Sequence, residues 1–420
     1  MGAFSIPLSG LAAASSELDV IGNNLANLNT DGYKDESLTF SDIFNQMQGR
    51  SGNGDPIEIG SGVNVAATST NFSNGSPDAT GVSSNMALQG NGFFVVENST
   101  TGQAAYTRDG SFTTNSQGQL TDTNGNLVMG YPAVNGVVSQ NSTLAPISVS
   151  QSGTVPGAAT TSFEMNTNLD ASGGTFSTPI TVYDTLGNPQ TLAVQFTSTG
   201  SGAWSYNITI PDSALAAGGT GSTSVASGTL SFNSSGQLTA ATPTAGTSST
   251  SSVPNISITG LADGAATMNL TWNLEDSSGN PTLTQLASTS ATSSTSQDGY
   301  GVGTLSGYSV LSDGTVEGQY SNNQTLALGQ IAVASFANQQ GLQQTGNGDF
   351  QATIASGAAV IGQAGAGGDG TITGGSVEES NVNLSTEFAN MIVAQQGYEA
   401  NAKVLTTLDQ VSQATLQMIS

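Results

Sequence analysis

Hydrophobic positions along this chain follow two different periods, and the change of period divides it. From Phe4 to Asn29, the residues Phe4, Leu8, Leu11, Ser15, Leu18, Gly22 and Leu25 recur at alternating spacings of four and three, the seam of an amphipathic helix. At 1.5 Å of rise per residue, these roughly 26 residues span about 39 Å. Asn27, Asn29, Thr30, Asp31 and Gly32 then supply a stop. The other end mirrors this pattern. Leu384, Phe388, Met391, Gln395, Tyr398, Ala402 and Leu405 repeat at four and three, and a second stripe, Val404, Leu408, Val411, Thr415 and Met418, continues on an adjacent face. Asn383 or Ser385 suits the cap and Glu387 the first turn. The run to Met418 is about 34 residues, roughly 51 Å.

Each terminal helix therefore carries an apolar face with no globular body beside it in sequence. The two either pack on each other as a stalk or keep their faces for neighbouring subunits. A two-helix hairpin covers each stripe on one side only, and a buried Leu or Phe is worth ~1.5–3 kcal/mol, so exposure is costly for a permanent monomer. Polymer contacts are the favoured reading.

Between the ends the period is two. Trp204, Tyr206, Ile208 and Ile210 alternate with Ser205, Asn207 and Thr209, and Met268, Leu270, Trp272 and Leu274 do the same. Leu192, Val194 and Phe196 make a third such strand, and Phe93-Phe94-Val95-Val96 reads as a short continuous one. Turn pairs such as Asn74-Gly75, Asn124-Gly125, Asn135-Gly136 and Asp313-Gly314 punctuate the region. Thr239 to Asn255 and Ala287 to Gln297 are low-complexity stretches expected as surface loops, and Ser356 to Gly375 as a loose connection. The fold class expected is α+β and multidomain: long terminal helices forming a coiled-coil-like inner domain, with all-β domains inserted between them. The expected division is 1–32 with 376–420 as the helical domain, 33–88 with 356–375 as extended linkers, 89–150 with 298–355 as a β-rich middle domain, and 151–297 as an outer β domain.

Charge narrows the function. Four basic against 29 acidic residues give a net charge of −25, a field that repels nucleic-acid phosphates and anionic lipid. Lys34, Arg50, Arg108 and Lys403 are too scattered to form a patch. With no cysteine and no histidine, thiolate chemistry, disulfides and the commonest zinc ligand are excluded. No cofactor or metal is expected. The stretch Gly362 to Gly368 lacks the Lys-Ser/Thr ending of a phosphate loop, and Asp122 to Asn126 lacks the closing Glu of a calcium loop, so a linker and a hairpin turn are expected there. Met1 to Gly10 has no basic start or unbroken apolar core, unlike a cleaved secretory signal, and no stretch approaches the ~20 apolar residues of a membrane span.

Motifs at both ends resemble the flagellar rod and hook axial protein family. Leu8-Ser9-Gly10-Leu11 leads to Ile21-Gly22-Asn23-Asn24-Leu25-Ala26-Asn27 and then to Thr30-Asp31-Gly32-Tyr33-Lys34. Near the other end stand Glu379-Ser380-Asn381-Val382-Asn383-Leu384, Glu387-Phe388 and Tyr398-Glu399-Ala400-Asn401-Ala402-Lys403. Leu88-Gln89-Gly90-Asn91-Gly92-Phe93-Phe94 and Tyr106-Thr107-Arg108-Asp109-Gly110-Ser111-Phe112 match the β body of the same group, and Val182 to Asn188 resembles the opening of the outer domain that marks its hook branch. Departures are Gln190 where His is frequent, Val377 where Leu is frequent, Asn322-Asn323 in place of a turn glycine, and Gly397 inside the last helix.

The resemblance implies a non-enzymatic structural subunit that self-assembles into a flexible helical tube passing motor torque to the filament. It implies export by the flagellar type III apparatus without a cleaved signal, and an extracellular position in the hook. The implied partners are further copies of itself and the rod, hook-cap and hook–filament junction proteins, with no nucleic acid and no membrane insertion. The residues expected to carry polymerisation are Leu8, Leu11, Leu18, Leu25, Asn23, Asn24 and Asn27 on the first helix, and Leu384, Phe388, Met391, Tyr398, Leu405, Leu408, Val411 and Met418 on the last. Gly32, Tyr33, Lys34, Asn381 and Asn401 carry the family motif. The rival readings are a distal rod or hook-associated axial protein and, from another class, an acidic secreted adhesin. A carboxylate-only carbohydrate-active enzyme stands behind both.

Overall fold

The computed structural model describes residues 2–44, 46–50, 56–150, 154–245 and 254–419. The chain forms two compact units, one of Met1–Ser150, Gly307–Gln319 and Thr325–Ser420, the other of Gln151–Ser306 and Tyr320–Gln324.

In the second unit, strict alternation becomes a β-sandwich. Thr175–Tyr183, Pro189–Gly200, Ala203–Pro211, Ser222–Phe232 and Leu238–Ala245 form an antiparallel meander in chain order. The facing sheet is mixed, because Ser162–Asp170 runs parallel to Met268–Asn273 and Leu283–Leu286 but antiparallel to Ala291–Gln297. Every second side chain of Ala203–Pro211 is buried. These residues join the other sheet in one core, where Tyr206 meets Trp272 edge-on at 5.3 Å between ring centroids. The loops expected at Thr239 to Asn255 and Ala287 to Gln297 are corrected in part: both contain ladder strands, and residues 246–253 lie outside the described residues. Small Ser/Thr side chains on an outer strand face need no core partner, so composition hides the strand.

The first unit has a β body and a helical hairpin. Phe93–Glu97 pairs with Ala104–Thr107, Leu127–Val134 and Thr325–Ser335. Both of its faces are covered: Phe94 and Val96 enter one core, Phe93 and Val95 another. This double burial explains why it reads as a continuous apolar run. The stretches expected as extended linkers carry strand pairs instead. Glu36–Asp42 pairs with Val63–Thr70, Pro77–Ala79 with Ser376–Glu378, and Met86–Gln89 with Thr371–Gly374. The Asp122 turn is a hairpin turn, its Oδ1 accepting the N–H groups of Asn124 and Asn126.

Helix α1 spans Gly2–Ala26 and α2 spans Leu384–Ile419. Asn383 is the cap of α2, its Oδ1 accepting from the N–H groups of Ser385 and Thr386. Gly10 faces Asn401 and Asn24 lies beside Glu387. Gly10 to Asn24 is the same number of residues as Glu387 to Asn401, so the helices run antiparallel and in step. With 36 residues against 25, α2 carries its last turns past the start of α1.

Candidate assembly surface and the junction beneath it

The seam between the helices lies one position away from the one the four-three pattern predicts on α1. Pro7, Ala14, Ile21 and Asn24 are buried, with Gly10 and Glu17 half-buried between them. On α2, Glu387 and Ala394 are buried, and Met391, Asn401, Leu405 and Leu408 are half-buried. Small residues set this line because they let helix backbones approach. A side-chain carbon added at Gly10 would sit 2.8 Å from the Asn401 amide.

Many of the larger apolar residues are left on the outside. Phe4, Ile6 and Leu8 of α1 are exposed, Leu8 by 58%. On α2, Leu384, Phe388, Ile392, Val393, Tyr398, Val404, Val411, Leu416 and Met418 are exposed. Of the residues expected on the polymer faces, Leu8, Leu384, Phe388, Tyr398, Val411 and Met418 therefore face outward. Leu11, Leu18, Leu25, Met391, Leu405 and Leu408 are half-buried. Asn24 is a correction: it is 1% exposed, and its side chain both donates to the Glu36 carbonyl and accepts from the Glu36 N–H and the Tyr33 hydroxyl. Asn23 and Asn27 also bond locally, Asn23 to the Tyr33 hydroxyl and Asn27 to the Asn23 carbonyl.

Those bonds lead into a junction that draws most of the family-motif residues together. Gly32 has φ +70 and donates its N–H to the Glu378 carbonyl at 2.7 Å; an added side-chain carbon would lie 2.5 Å from the Asp109 nitrogen, so glycine is required. Lys34 Nζ bonds Glu378 Oε1 at 2.6 Å and the Ser73 carbonyl at 2.9 Å. Arg108 reaches Glu378 Oε2 at 3.4 Å and the Gly90 carbonyl at 2.8 Å, and lies over the Phe93 ring. Asn381 accepts the Asp35 N–H and donates to the carbonyls of Asn71 and Ser73. Asn401 stands apart, in the helix seam.

Lys34, Arg108 and Glu378 are all buried, so one carboxylate holds two cations away from water. Burial pushes both Lys34 and Arg108 below their ordinary ranges, and Glu378 pulls each back up. The node joins the segment after α1, the strand before α2 and the β body. The pattern of apolar positions gives no sign of it. The available signal was scarcity: two of only four basic residues, each inside a recognisable motif, had to be held by some acid. Among the described residues no group of three or more acidic side chains is arranged to hold a metal, and no helix is long and apolar enough to cross a membrane.

Comparison with known proteins matches four family models along the chain. They are the flagella basal body rod protein at residues 6–34, the flagellar hook protein FlgE/F/G D1 domain at 87–157, the flagellar basal body protein FlaE D2 domain at 158–300, and the flagellar basal body rod FlgEFG protein C-terminal at 373–418. The flagellar hook protein FlgE of Salmonella typhimurium is 35% identical over 426 residues, covering 97% of this chain and 98% of that protein. The Escherichia coli protein of the same name is 35% identical over 429 residues, with the same coverage. That of Treponema pallidum is 30% identical over 455 residues, covering 98% of each.

Proposed function

Because the chain belongs to the flagellar hook protein family, we infer how its parts serve a tube: it is a structural subunit of the bacterial flagellar hook, and its helical hairpin makes the contacts between copies. The observation that carries this reading is the outward row of large apolar residues on α1 and α2. Full burial of such a side chain is worth ~1.5–3 kcal/mol, and with 39% to 85% of each still exposed, part of that gain is left for a neighbouring copy to supply. The β units then form the outer body, where small polar surfaces can be remade at low cost as the tube bends under torque. Export through the flagellar type III apparatus without a cleaved signal, and docking to rod, cap and junction proteins, belong to the same proposal. So does the absence of catalysis. A rod protein is the weaker reading, since the D2-type match fills 158–300.

Electron microscopy of the purified chain under salting-out conditions tests this. The intact chain should form tubes. Phe388→Ser and Val411→Ser should raise the critical concentration roughly ten- to a hundredfold each, since every 1.4 kcal/mol is a factor of ten. The Val411→Ser monomer should melt close to the parent, because that side chain is 60% exposed, and Phe388→Ser, 47% exposed, should lose far less in the monomer than in the tube. Substituted chains that assemble like the parent would sink the proposal.

A further inference from the structure

A cavity of about 220 Å3 opens where α1, the start of the Glu36–Asp42 strand and the first turns of α2 meet. Four carboxylates line it, those of Glu17, Asp35, Glu36 and Glu387, beside the apolar Val20 and Ile21. No basic side chain is among its lining residues, and Lys34 next door is turned to Glu378. Glu387 is 6% exposed, yet its Oε2 has no hydrogen-bond partner among the described residues, and neither has Asp35 Oδ1. Burial pushes Asp35, Glu36 and Glu387 above the usual carboxylate range. Burial and then the charges of Glu36, Asp35 and Glu387 push the Tyr33 hydroxyl up to about 12. A buried carboxylate oxygen without a donor is costly, so this cavity is incomplete within one chain.

Cations are scarce in this protein. Lys34 and Arg108 are buried on Glu378, and the Arg50 side chain lies outside the described ones. Lys403 is exposed on α2 and makes no ion pair among the described residues. It cannot serve its own cavity: the helical rise puts it roughly 24 Å further along α2 than Glu387, several times the reach of a lysine stem.

We propose that this cavity receives the Lys403 ammonium of a second copy of the chain, which pairs with Glu387 and Asp35. The contact rests on the polymer reading above and deepens it. It joins one site to a different site on the next copy, the heterologous arrangement that repeats into a helical filament. It also gives a reason for subunits of net charge −25 to meet in one register, since a lone cation entering an anionic cavity is attractive only there.

Zero-length carbodiimide coupling, which joins an amine to a carboxyl in direct contact, tests it. Tubes are grown from an equal mixture of ordinary and isotope-labelled chains. Cross-linked peptides joining Lys403 to Glu387 or Asp35, with mixed labels, are expected in tubes and absent from monomers. Lys403→Gln, a surface change that leaves the fold intact, should raise the critical concentration roughly tenfold. Tubes without the mixed-label cross-link, or Lys403→Gln assembling at the parent concentration, would overturn the contact. Calcium or magnesium promoting assembly equally in parent and Lys403→Gln while blocking the coupling would mark a metal site and overturn it too. Failure of the unsubstituted chain to form tubes would instead overturn the polymer reading, and this contact with it.

Discussion

The two units of this chain treat their apolar and acidic residues in opposite ways. The sandwich encloses both tryptophans and draws on both sheets for a single core. Four of its aspartates are shifted toward the ionised form. The Ser172 and Asn280 N–H groups lower Asp170 and Asp276, while at Asp184 and Asp298 burial pushes up but several hydrogen bonds outweigh it. In the other unit Phe388, Val411 and Met418 stand in water, while burial raises Asp35, Glu36, Asp109, Asp349 and Glu387. A finished fold puts apolar groups inside and solvates its charges. The first unit, which carries the helical hairpin, does neither completely, which is the signature of a part shaped for contacts outside one chain.

The largest expected effect breaks the helical unit and spares the sandwich. Glu378→Gln leaves Lys34 and Arg108 buried without their shared carboxylate. Removing one side of a buried ion pair costs ~3–5 kcal/mol. Hydrogen exchange should show the helical unit opening first, whereas tryptophan fluorescence, which reports only Trp204 and Trp272, should hold its midpoint. A parallel loss in both units would mean that they fold as one.

Acid sharpens the contrast, because the two sets of carboxylates have opposite sign. Asp349, pushed up to about 6 by burial and then by Asp122 and Asp109, binds its proton more tightly folded than unfolded. Its unit should lose stability as pH rises from the ordinary carboxylate range, near 3.8, through about 6. Asp184 and Asp298 sit below that ordinary range, so their stabilisation is present above it and lost as pH falls through their lower folded values. Exchange and tryptophan fluorescence, followed from acid to neutral pH, should therefore give slopes of opposite sign. Asp349→Asn should make the first slope shallower, with Asp35, Glu36, Asp109 and Glu387 keeping its sign, and leave the second unchanged. Equal slopes would refute the assignment.

Much of this architecture is written in local patterns. The alternation around Trp204, Leu192 and Trp272 marks strands because each has one dry face, and the four-three spacing marks both helices. What the patterns miss has a physical reason in each case. The α1 seam runs through Gly10 and Ala14, with Ile21 on the same line, rather than through Leu8, Leu11 and Leu18, because close approach favours small residues while periodicity gives weight to large ones. The strand Glu36–Asp42 stays hidden because none of its residues is buried, so its pairing with Val63–Thr70 leaves no alternating dry face in the sequence. The Lys34–Glu378–Arg108 node joins residues far apart in the chain, so no window contains it. The acidic cavity is hidden in the same way, since Glu17, Asp35 and Glu387 come from three separate segments.

The smallest expected effect concerns a residue that looks like a flaw. Helix α2 runs unbroken through Gly397, where an added side-chain carbon would meet nothing within 4 Å. Within one chain the glycine has no steric reason, and it costs the helix up to ~1 kcal/mol relative to alanine. Gly397→Ala should raise the stability of the helical unit by about that amount in the monomer, read by exchange of the α2 amides. Gly10→Ala should give no such gain, because its added carbon meets the Asn401 side chain at 2.8 Å. The same two chains then separate fold from assembly. If Gly397→Ala stabilises the monomer yet raises the critical concentration for tubes, the missing side chain makes room for a neighbour's backbone. If tubes form at the parent concentration, the outward contacts rest on the large apolar residues alone. No gain in the monomer would mean that α2 is too frayed at this position for helix propensity to count, and that its order comes with assembly.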